Sequence, residues 1–347
     1  MTTMPAVAQA ATPVAAPAGD RLTVRVRALH DETAEIRRFV LESADGALLP
    51  PATPGSHVDV HLRGAATVTA GAAPAASIMR QYSLCNGPDD RDVYVLAVKR
   101  EPHSRGGSAA MHRLAVGDRL EIGRPRNNFP LAAGAAHHLL LAGGIGVTPL
   151  LAMARHLAGD GGAFALHHFV RGPEHAAFGD LFAGALAPRA HVHAGLDAVA
   201  TQARLAALVA DRGDGAHLYV CGPELFMAAA IGAALANGWP DAGIHREYFG
   251  AAPTVGAGAG FEVVLAASGG VSVRVAADET IVAALARIGV VVEVSCEQGI
   301  CGTCLTRVIE GVPDHRDVFL TEAEQRAGDR MCLCVSRAAS NRLVIDR

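Results

Sequence analysis

Residues 296–304 read CEQGICGTC. Three cysteines spaced C-x4-C-x2-C can ligate a metal as thiolates. The spacing is that of plant-type [2Fe-2S] ligation, which takes a fourth thiolate further along the chain. Gly299, Gly302 and Thr303 are small enough to let backbone amides turn towards the sulfurs, and such hydrogen bonds tune a cluster's potential. Structural zinc, the competing reading, usually takes two separated C-x2-C pairs. Here Cys301 and Cys304 make the one such pair, while Cys332 and Cys334 in DRMCLCVSRA are spaced C-x-C. Cys296, Cys301 and Cys304 are therefore candidate cluster ligands. Cys332 and Cys334 compete for the fourth place, and on a strand they would point to opposite faces, so one serves.

Two other stretches carry chemistry. AGGIGVTPLL (142–151) follows an apolar strand and opens a helix, with Thr148 placed to cap it and Pro149 at the first helical position. The bare amides of Gly143, Gly144 and Gly146, together with the helix dipole, suit the pyrophosphate of a dinucleotide. The spacing is not G-x-G-x-x-G, which argues against an ordinary Rossmann fingerprint. YVCGPE (219–224) repeats the pattern of apolar strand, Gly and Pro, and Cys221 taken alone reads as a small buried side chain. Upstream, RQYSL (80–84) puts Arg80, Tyr82 and Ser83 on one strand, and RGGS (105–108) offers a second anion-binding turn. Lys99 is the single lysine beside 29 arginines, a compact ammonium where guanidinium is a broad fork.

These groups need elements to position them. Short alternating runs from Arg21 onward, RLTVRVRAL, HVDVHL and DVYVLAVKR, separated by LPPATPGS and CNGPDD, have the rhythm of a small antiparallel barrel. From His137 the rhythm becomes strand, glycine turn and helix, the mark of a parallel-sheet α/β domain. FEVVLAAS-GG-VSVRVA reads as a hairpin around Gly269 and Gly270, followed by the helix ETIVAALARIG and the cysteine segment. The expected division is a disordered tail at 1–20, a barrel domain at 21–133 with a loop insertion at 64–77, an α/β domain at 134–250, a linker at 251–260 and a ferredoxin-like domain at 261–347.

Composition sets the class. Half of the 347 residues are hydrophobic, the net charge is -4 and there is no basic block, so nucleic acid is not an expected partner. No apolar run reaches the 18 or so residues of a membrane span. Five of the seven cysteines lie between 296 and 334, which suits a metal site in a reduced cytoplasm better than a disulfide framework.

RQYSLCN, AVKR, RGGS, PRNNFPL, AGGIGVTP, CGP, REYFGA, CEQGICGTC, PDHRD and CVSRA occur in that order. In this the chain resembles phthalate dioxygenase reductase and the vanillate O-demethylase reductase subunits, the single-chain reductases of Rieske-type oxygenases. The resemblance covers about 21 to 347. It implies an FMN-binding barrel, a nicotinamide domain and a C-terminal β-grasp-like plant-type ferredoxin domain. Arg80, Tyr82 and Ser83 would line the flavin, with Arg80 on its phosphate. Ala97, Val98 and Lys99 would run beside the ring, and Gly106, Gly107 and Ser108 would take the phosphate. Gly143, Gly144, Gly146, Thr148 and Pro149 would cradle the dinucleotide, and Cys221, Gly222 and Pro223 would flank its nicotinamide, with Phe249 over the flavin. Ser83, Cys221 and Phe249 would be the catalytic set. Alignment of CVSRA selects Cys334 as the fourth ligand, and Asp314 to Asp317 match the DHRD segment. The tail, the 64–77 loop and two residues between Glu324 and the last cysteines are extra.

The resemblance also implies a route. NADH gives two electrons as a hydride and the cluster takes one at a time, so a flavin between them mediates. The expected partner is a terminal Rieske-type oxygenase, and the expected state is a cytoplasmic monomer. NADH is the expected donor, although Arg171 in RGPEH could meet a 2'-phosphate.

Overall fold

A computed structural model describes residues 21–63, 77–87, 90–102, 104, 106–249, 258–294, 299 and 302–347. The tail, the 64–77 loop up to residue 76, the linker up to residue 257, and Arg105, Cys296 and Cys301 lie outside the described residues.

The alternating runs form strands because every second residue has an apolar face to bury. β1 (Arg21–Asp31), β2 (Ile36–Ser43), β3 (Ser56–Arg63), β4 (Ser77–Ser83), β5 (Val93–Lys99), α1 (Gly107–His112), β6 (Arg119–Gly123) and β7 (Arg126–Asn127) make up the first domain. The strands pair in the order β4-β3-β6-β1-β2-β5, with β7 added to β3. Val24, Val26, Phe39, Leu41, Val58, Val60, Leu96 and Val98 fill the interior. A bridge between Leu84 and Leu96 joins the two edges, so the sheet is a nearly closed barrel.

The second sheet runs β8 (His137–Gly143), β9 (Phe164–Val170), β10 (Ala190–Ala194), β11 (Ala216–Cys221) and β12 (Ile244–Glu247), with α2 (Val147–Gly159), α3 (Gly179–Ala183), α4 (Ala198–Ala210) and α5 (Glu224–Ala236) between them. All pairs are parallel, in the order β10-β9-β8-β11-β12. β8 is apolar on both faces because both are covered. Leu140 and Ala142 meet Val147, Leu150 and Leu151 of α2, and Leu139 and Leu141 meet Leu205, Val209, Met227 and Ala230 of α4 and α5. Strand order reverses between β8 and β11, which opens a crevice at their carboxyl ends.

Barrel and α/β sheet, read from sequence as separate domains, share one core. Ile36, Cys85, Ala97 and Phe129 pack in a single cluster with Leu140, Leu150, Tyr219 and Cys221. Polar ties reinforce the seam: Arg155 to Asp90 at 2.8 Å, the Phe178 amide donating to Glu32 at 2.8 Å, and the Ala132 amide donating to the Tyr219 hydroxyl at 2.6 Å.

The last domain holds β13 (Phe261–Leu265), β14 (Val271–Val275), α6 (Ile281–Arg287), β15 (Leu305–Glu310), β16 (Pro313–Asp314), α7 (Glu322–Ala327), β17 (Arg330–Cys332), β18 (Arg337–Ala338) and β19 (Arg342–Ile345). The expected hairpin is present, β13 and β14 joined by a turn in which Gly269 and Gly270 take positive φ of 70° and 78°. The sheet order β14-β13-β19-β15-β17, with β13 and β19 parallel and α6 packed on its face, is a β-grasp arrangement. No helix among the described residues is long and apolar enough to cross a membrane.

The α/β sheet is rich in histidines whose burial opposes protonation. His167 is pushed down to about 3, and His168, His193 and His245 to about 4, chiefly by loss of solvent. An unfolded chain binds those protons near pH 6.5, so this stability is present above 6.5 and lost as pH falls towards 4. Glu247, raised to about 8, works the other way, but it is one group against four. Trp239, the single tryptophan, is buried in this domain with its indole donating to the Val209 carbonyl. Its fluorescence should report an unfolding midpoint that drops steadily from pH 6.5 to 4.5, and a flat profile would contradict the burial assigned to these rings.

Candidate functional site

β8 ends at Gly143, and Gly144–Gly146 form a 3-10 turn that leads straight into α2. Two contacts demand glycine. A Cβ on Gly146 would lie 2.3 Å from the Cys221 carbonyl oxygen, and one on Gly222 would lie 2.9 Å from the Gly143 Cα. The turns after β8 and β11 are thus pressed together at the crevice. Thr148, expected as the cap, lies inside the first helical turn. Because the 3-10 turn feeds the helix directly, Gly146 is the N-cap, Pro149 is the third helical residue, and the Thr148 hydroxyl donates back to the Ile145 carbonyl at 3.1 Å. Proline is tolerated there because the first amides of a helix have no intrahelical acceptor.

The crevice widens into a cleft of about 790 Å³ lined from all three domains: Gly143, Gly144, Gly146, Arg171, Gly222, Pro223 and Phe249 of the α/β unit, Ile36 and Lys99 of the barrel, and Arg316 and Val318 of the last domain. Arg171 pairs with Glu35 of the barrel at 2.9 Å, and Lys99 with Glu101 at 3.1 Å. Phe249 is 40% exposed.

On the barrel side, β4 carries Arg80, Tyr82 and Ser83. A Cβ on Gly107 would lie 2.6 Å from Arg80 Cγ, so the turn that opens α1 sits directly on Arg80, a pairing that can hold a phosphate. Gly106 takes φ 94° there, and the Ser108 hydroxyl donates to Ser104 Oγ at 3.0 Å. Burial keeps the Tyr82 phenol from ionising. Strand alternation splits the expected set on β5. Val98 points into the barrel core and Ala97 into the shared seam, so both side chains are taken up by packing and leave their backbone to meet a ring.

The two halves meet at a residue that sequence reading missed. Glu247 ends β12 opposite Cys221 in the register, and its side chain is hydrogen-bonded to Ser83. Its Oε2 is closed to solvent and has no partner, and the carboxyl is pushed up to about 8 by burial, with the Ser83 bond opposing. Cys221 is wholly buried and its thiol is held well above the usual range, first by burial and then by Glu247, so it stays S–H. A buried polar atom without a partner calls for an explanation, and a bound ligand is one that suits a carboxyl at the meeting of two domains. The Gly107 cradle on Arg80 and this orphaned oxygen fit a flavin with its phosphate on one and its ring near the other.

In the last domain Cys304, Cys332 and Cys334 are all buried. β17 stops at Cys332, whose carbonyl accepts from the Val335 and Ser336 amides, so Cys334 lies in a tight turn rather than on a strand. A Cβ on Gly299 would lie 2.6 Å from Val335 Cγ2 and 2.9 Å from Asp317 Cα, which places Gly299 against that turn and against the DHRD segment. Asp317 braces both, accepting from Ser336 Oγ at 2.9 Å and from the Leu320 amide at 3.0 Å. Buried Cys304, and Cys334 in its turn, are thiol donors of the kind a [2Fe-2S] cluster takes. Among the described residues no group of three side chains forms a metal site, Cys296 and Cys301 not being among them.

Comparison with known proteins gives these parts an identity. Residues 266–339 match the 2Fe-2S iron-sulfur cluster binding domain, and residues 124–244 match the N-terminal domain of dimethylamine monooxygenase subunit DmmA-like proteins. Vanillate O-demethylase oxidoreductase of Pseudomonas sp. strain HR199 is 47% identical over 87% of this chain and 92% of its own length. The chain belongs to the vanillate O-demethylase oxidoreductase family. The Pseudomonas putida relative of the same name is 45% identical over 91% of this chain and 97% of its own. Among solved structures, phthalate dioxygenase reductase superposes with a TM-score of 0.72 at 34% identity, over 94% of this chain and 98% of that one. The chain is an NAD(P)H-dependent flavin and iron-sulfur oxidoreductase, with flavin, NAD(H) and [2Fe-2S] as its cofactors.

Glu247 should therefore be visible in kinetics. Its carboxyl is neutral at pH 7 and ionises as pH rises through about 8, placing an uncompensated charge beside Ser83. Flavin reduction by NADH should slow across that window, while Glu247→Gln, neutral at every pH, should give a flat profile there. Stopped-flow rates from pH 6.5 to 9.5 decide it, and a wild-type step that survives in the variant would remove Glu247 from the site.

Proposed function

We propose that this chain carries electrons from NADH through FMN and a [2Fe-2S] cluster to a terminal Rieske-type oxygenase, of the aromatic-ring-hydroxylating or demethylating kind. The observation that carries the proposal is the convergence on one cleft of the barrel, the glycine turn and the DHRD segment of the cluster domain. Relatives named for vanillate O-demethylation that match over nearly their whole length support the choice of partner.

The flavin supplies the change from a two-electron hydride donor to a one-electron acceptor. Arg80 and the Gly106–Ser108 turn are assigned to the flavin phosphate, and Tyr82, Ser83 and the backbone at Ala97 to Lys99 to its ring. Gly143, Gly144, Gly146, Thr148, Pro149, Gly222 and Pro223 are assigned to the dinucleotide, and Cys221 and Phe249 to the nicotinamide side of the ring. Cys296, Cys301, Cys304 and Cys334 are assigned to the cluster. Cys334 is chosen over Cys332 on the family alignment and on the contact between Val335 and Gly299.

NADH is favoured over NADPH by charge. Arg171 is already paired with Glu35, and the carboxylates of Asp197 and Glu224 also line the cleft, where a 2'-phosphate would meet negative groups.

The test begins with the visible spectrum of the purified protein, which should show overlapping flavin and iron-sulfur bands that bleach when NADH is added without oxygen. A colourless, zinc-containing protein would sink the reading. Cys334→Ser should remove the cluster iron and Cys332→Ser should leave it, and the reverse result would exchange the two assignments. For nicotinamide choice, kcat/KM with NADPH should be at least roughly tenfold below that with NADH, an electrostatic difference of about 1.4 kcal/mol, and equal values would refute it.

A further inference from the structure

His168 sits on β9 directly beneath the glycine turn, in register with Ala142 of β8. It is fully buried, its ring 5.6 Å from that of Phe182. Its Nε2 lies 2.9 Å from the Gly144 carbonyl oxygen, and its Nδ1 is closed to solvent with no partner. A nitrogen facing a carbonyl must carry the proton, so the ring is the Nε2–H tautomer with a bare Nδ1. Burial pushes its pKa down to about 4, which keeps it a neutral donor at physiological pH.

The Gly144 carbonyl accepts from the Val147 amide as well, and the Ile145 carbonyl accepts from the Thr148 hydroxyl. The carbonyls of the turn are thus held inward. In a planar trans peptide the N–H points opposite to the C=O. Binding the Gly144 oxygen therefore sends the Ile145 amide away from His168, on a turn whose Gly143 to Gly146 line the cleft. Turning the Gly144–Ile145 peptide over would rotate ψ of Gly144 and φ of Ile145; Gly144, at φ +52°, has no Cβ to resist it, so the hydrogen bonds to its carbonyl help to decide the orientation.

We propose that His168 is a positioning residue for the nicotinamide dinucleotide: by holding the Gly144 carbonyl it selects the one orientation of the turn that presents the Ile145 amide to the pyrophosphate. The proposal rests on reading the cleft as the NADH site.

The test uses the flavin- and iron-loaded protein. His168→Leu removes the donor, whereas His168→Gln replaces it, because the glutamine amide nitrogen reaches the place of Nε2. Calorimetric titration with NAD+ and with ADP-ribose should show His168→Leu binding both roughly tenfold more weakly, the loss of one oriented hydrogen bond. His168→Gln should recover most of that affinity. At saturating NADH, His168→Leu should keep kcat while its KM rises by a similar factor, a split that general damage to the fold would not give. 15N spectra of histidine-labelled wild type should show the Nε2–H tautomer. An Nδ1–H tautomer, unchanged NAD+ affinity in His168→Leu, or a folded His168→Gln as weak as His168→Leu would each overturn the proposal. If the wild type binds no NAD+ while the Nε2–H tautomer is present, the assignment of the cleft itself has failed, and this inference falls with it.

Discussion

The apolar seam between barrel and α/β sheet is the constraint on which the site depends. A hydride moves between atoms in near contact, so the surfaces that hold donor and acceptor must keep a fixed distance and angle. Ile36, Cys85, Ala97 and Phe129 achieve this by packing into the same core as Leu140, Tyr219 and Cys221. Two of these residues lie close to cleft-lining residues along the chain. Ala97 is on the strand that ends at Lys99, and Cys221 closes the strand that carries Gly222 and Pro223. Close-packed interiors transmit displacement rather than absorb it, so the seam passes the geometry of one unit to the other. The bond between Ser83 and Glu247 spans the same boundary.

The cluster domain is attached differently. It fills its own core with Phe261, Val263, Leu285, Leu343 and Ile345, and it reaches the cleft through Arg316 and Val318. An electron needs no atom-to-atom contact, so a smaller contact serves where a hydride requires a shared core. Within this domain Asp317 ties the DHRD segment to the turn after Cys332, and Gly302 is pressed against the Phe319 ring.

Much of this was legible in the sequence, for a physical reason. Cluster ligation, a hairpin turn and a glycine-rich phosphate turn each need particular residue types at fixed local spacing, and CEQGICGTC, the Gly269–Gly270 pair and GGIGVTP state them in the order of the chain. What escaped is non-local. Glu247 in IHREYF reads as an ordinary strand residue, and it becomes unusual only when folding closes off its Oε2 beside Ser83 and Cys221. His168 in FALHHFV likewise reads as part of an apolar strand, and its meaning depends on the register that sets it under Gly144. Thr148 was misplaced as a cap because the 3-10 turn, which no composition signals, starts the helix early. The fused core escaped for the same reason: alternation shows which residues turn inward, but not which element they meet.

These non-local residues have one property in common. The Cys221 thiol, the Glu247 carboxyl and the His168 imidazole are all uncharged at neutral pH: burial shifts each towards its neutral form, and for Glu247 it reverses the usual state. Among the charged groups of the cleft, Lys99 is paired with Glu101 and Arg171 with Glu35. A nicotinamide that gives up a hydride goes from neutral to positive, and it must bind before the step and leave after it. A fixed buried anion beneath it would favour the product and hold it, and a fixed cation would oppose the transfer, whereas hydrogen-bonding groups without net charge do neither. Burial therefore does more than shape the fold: it keeps the Glu247 carboxyl, opposite Cys221 and bonded to Ser83, from adding a fixed negative charge beside the turn that carries Gly222 and Pro223.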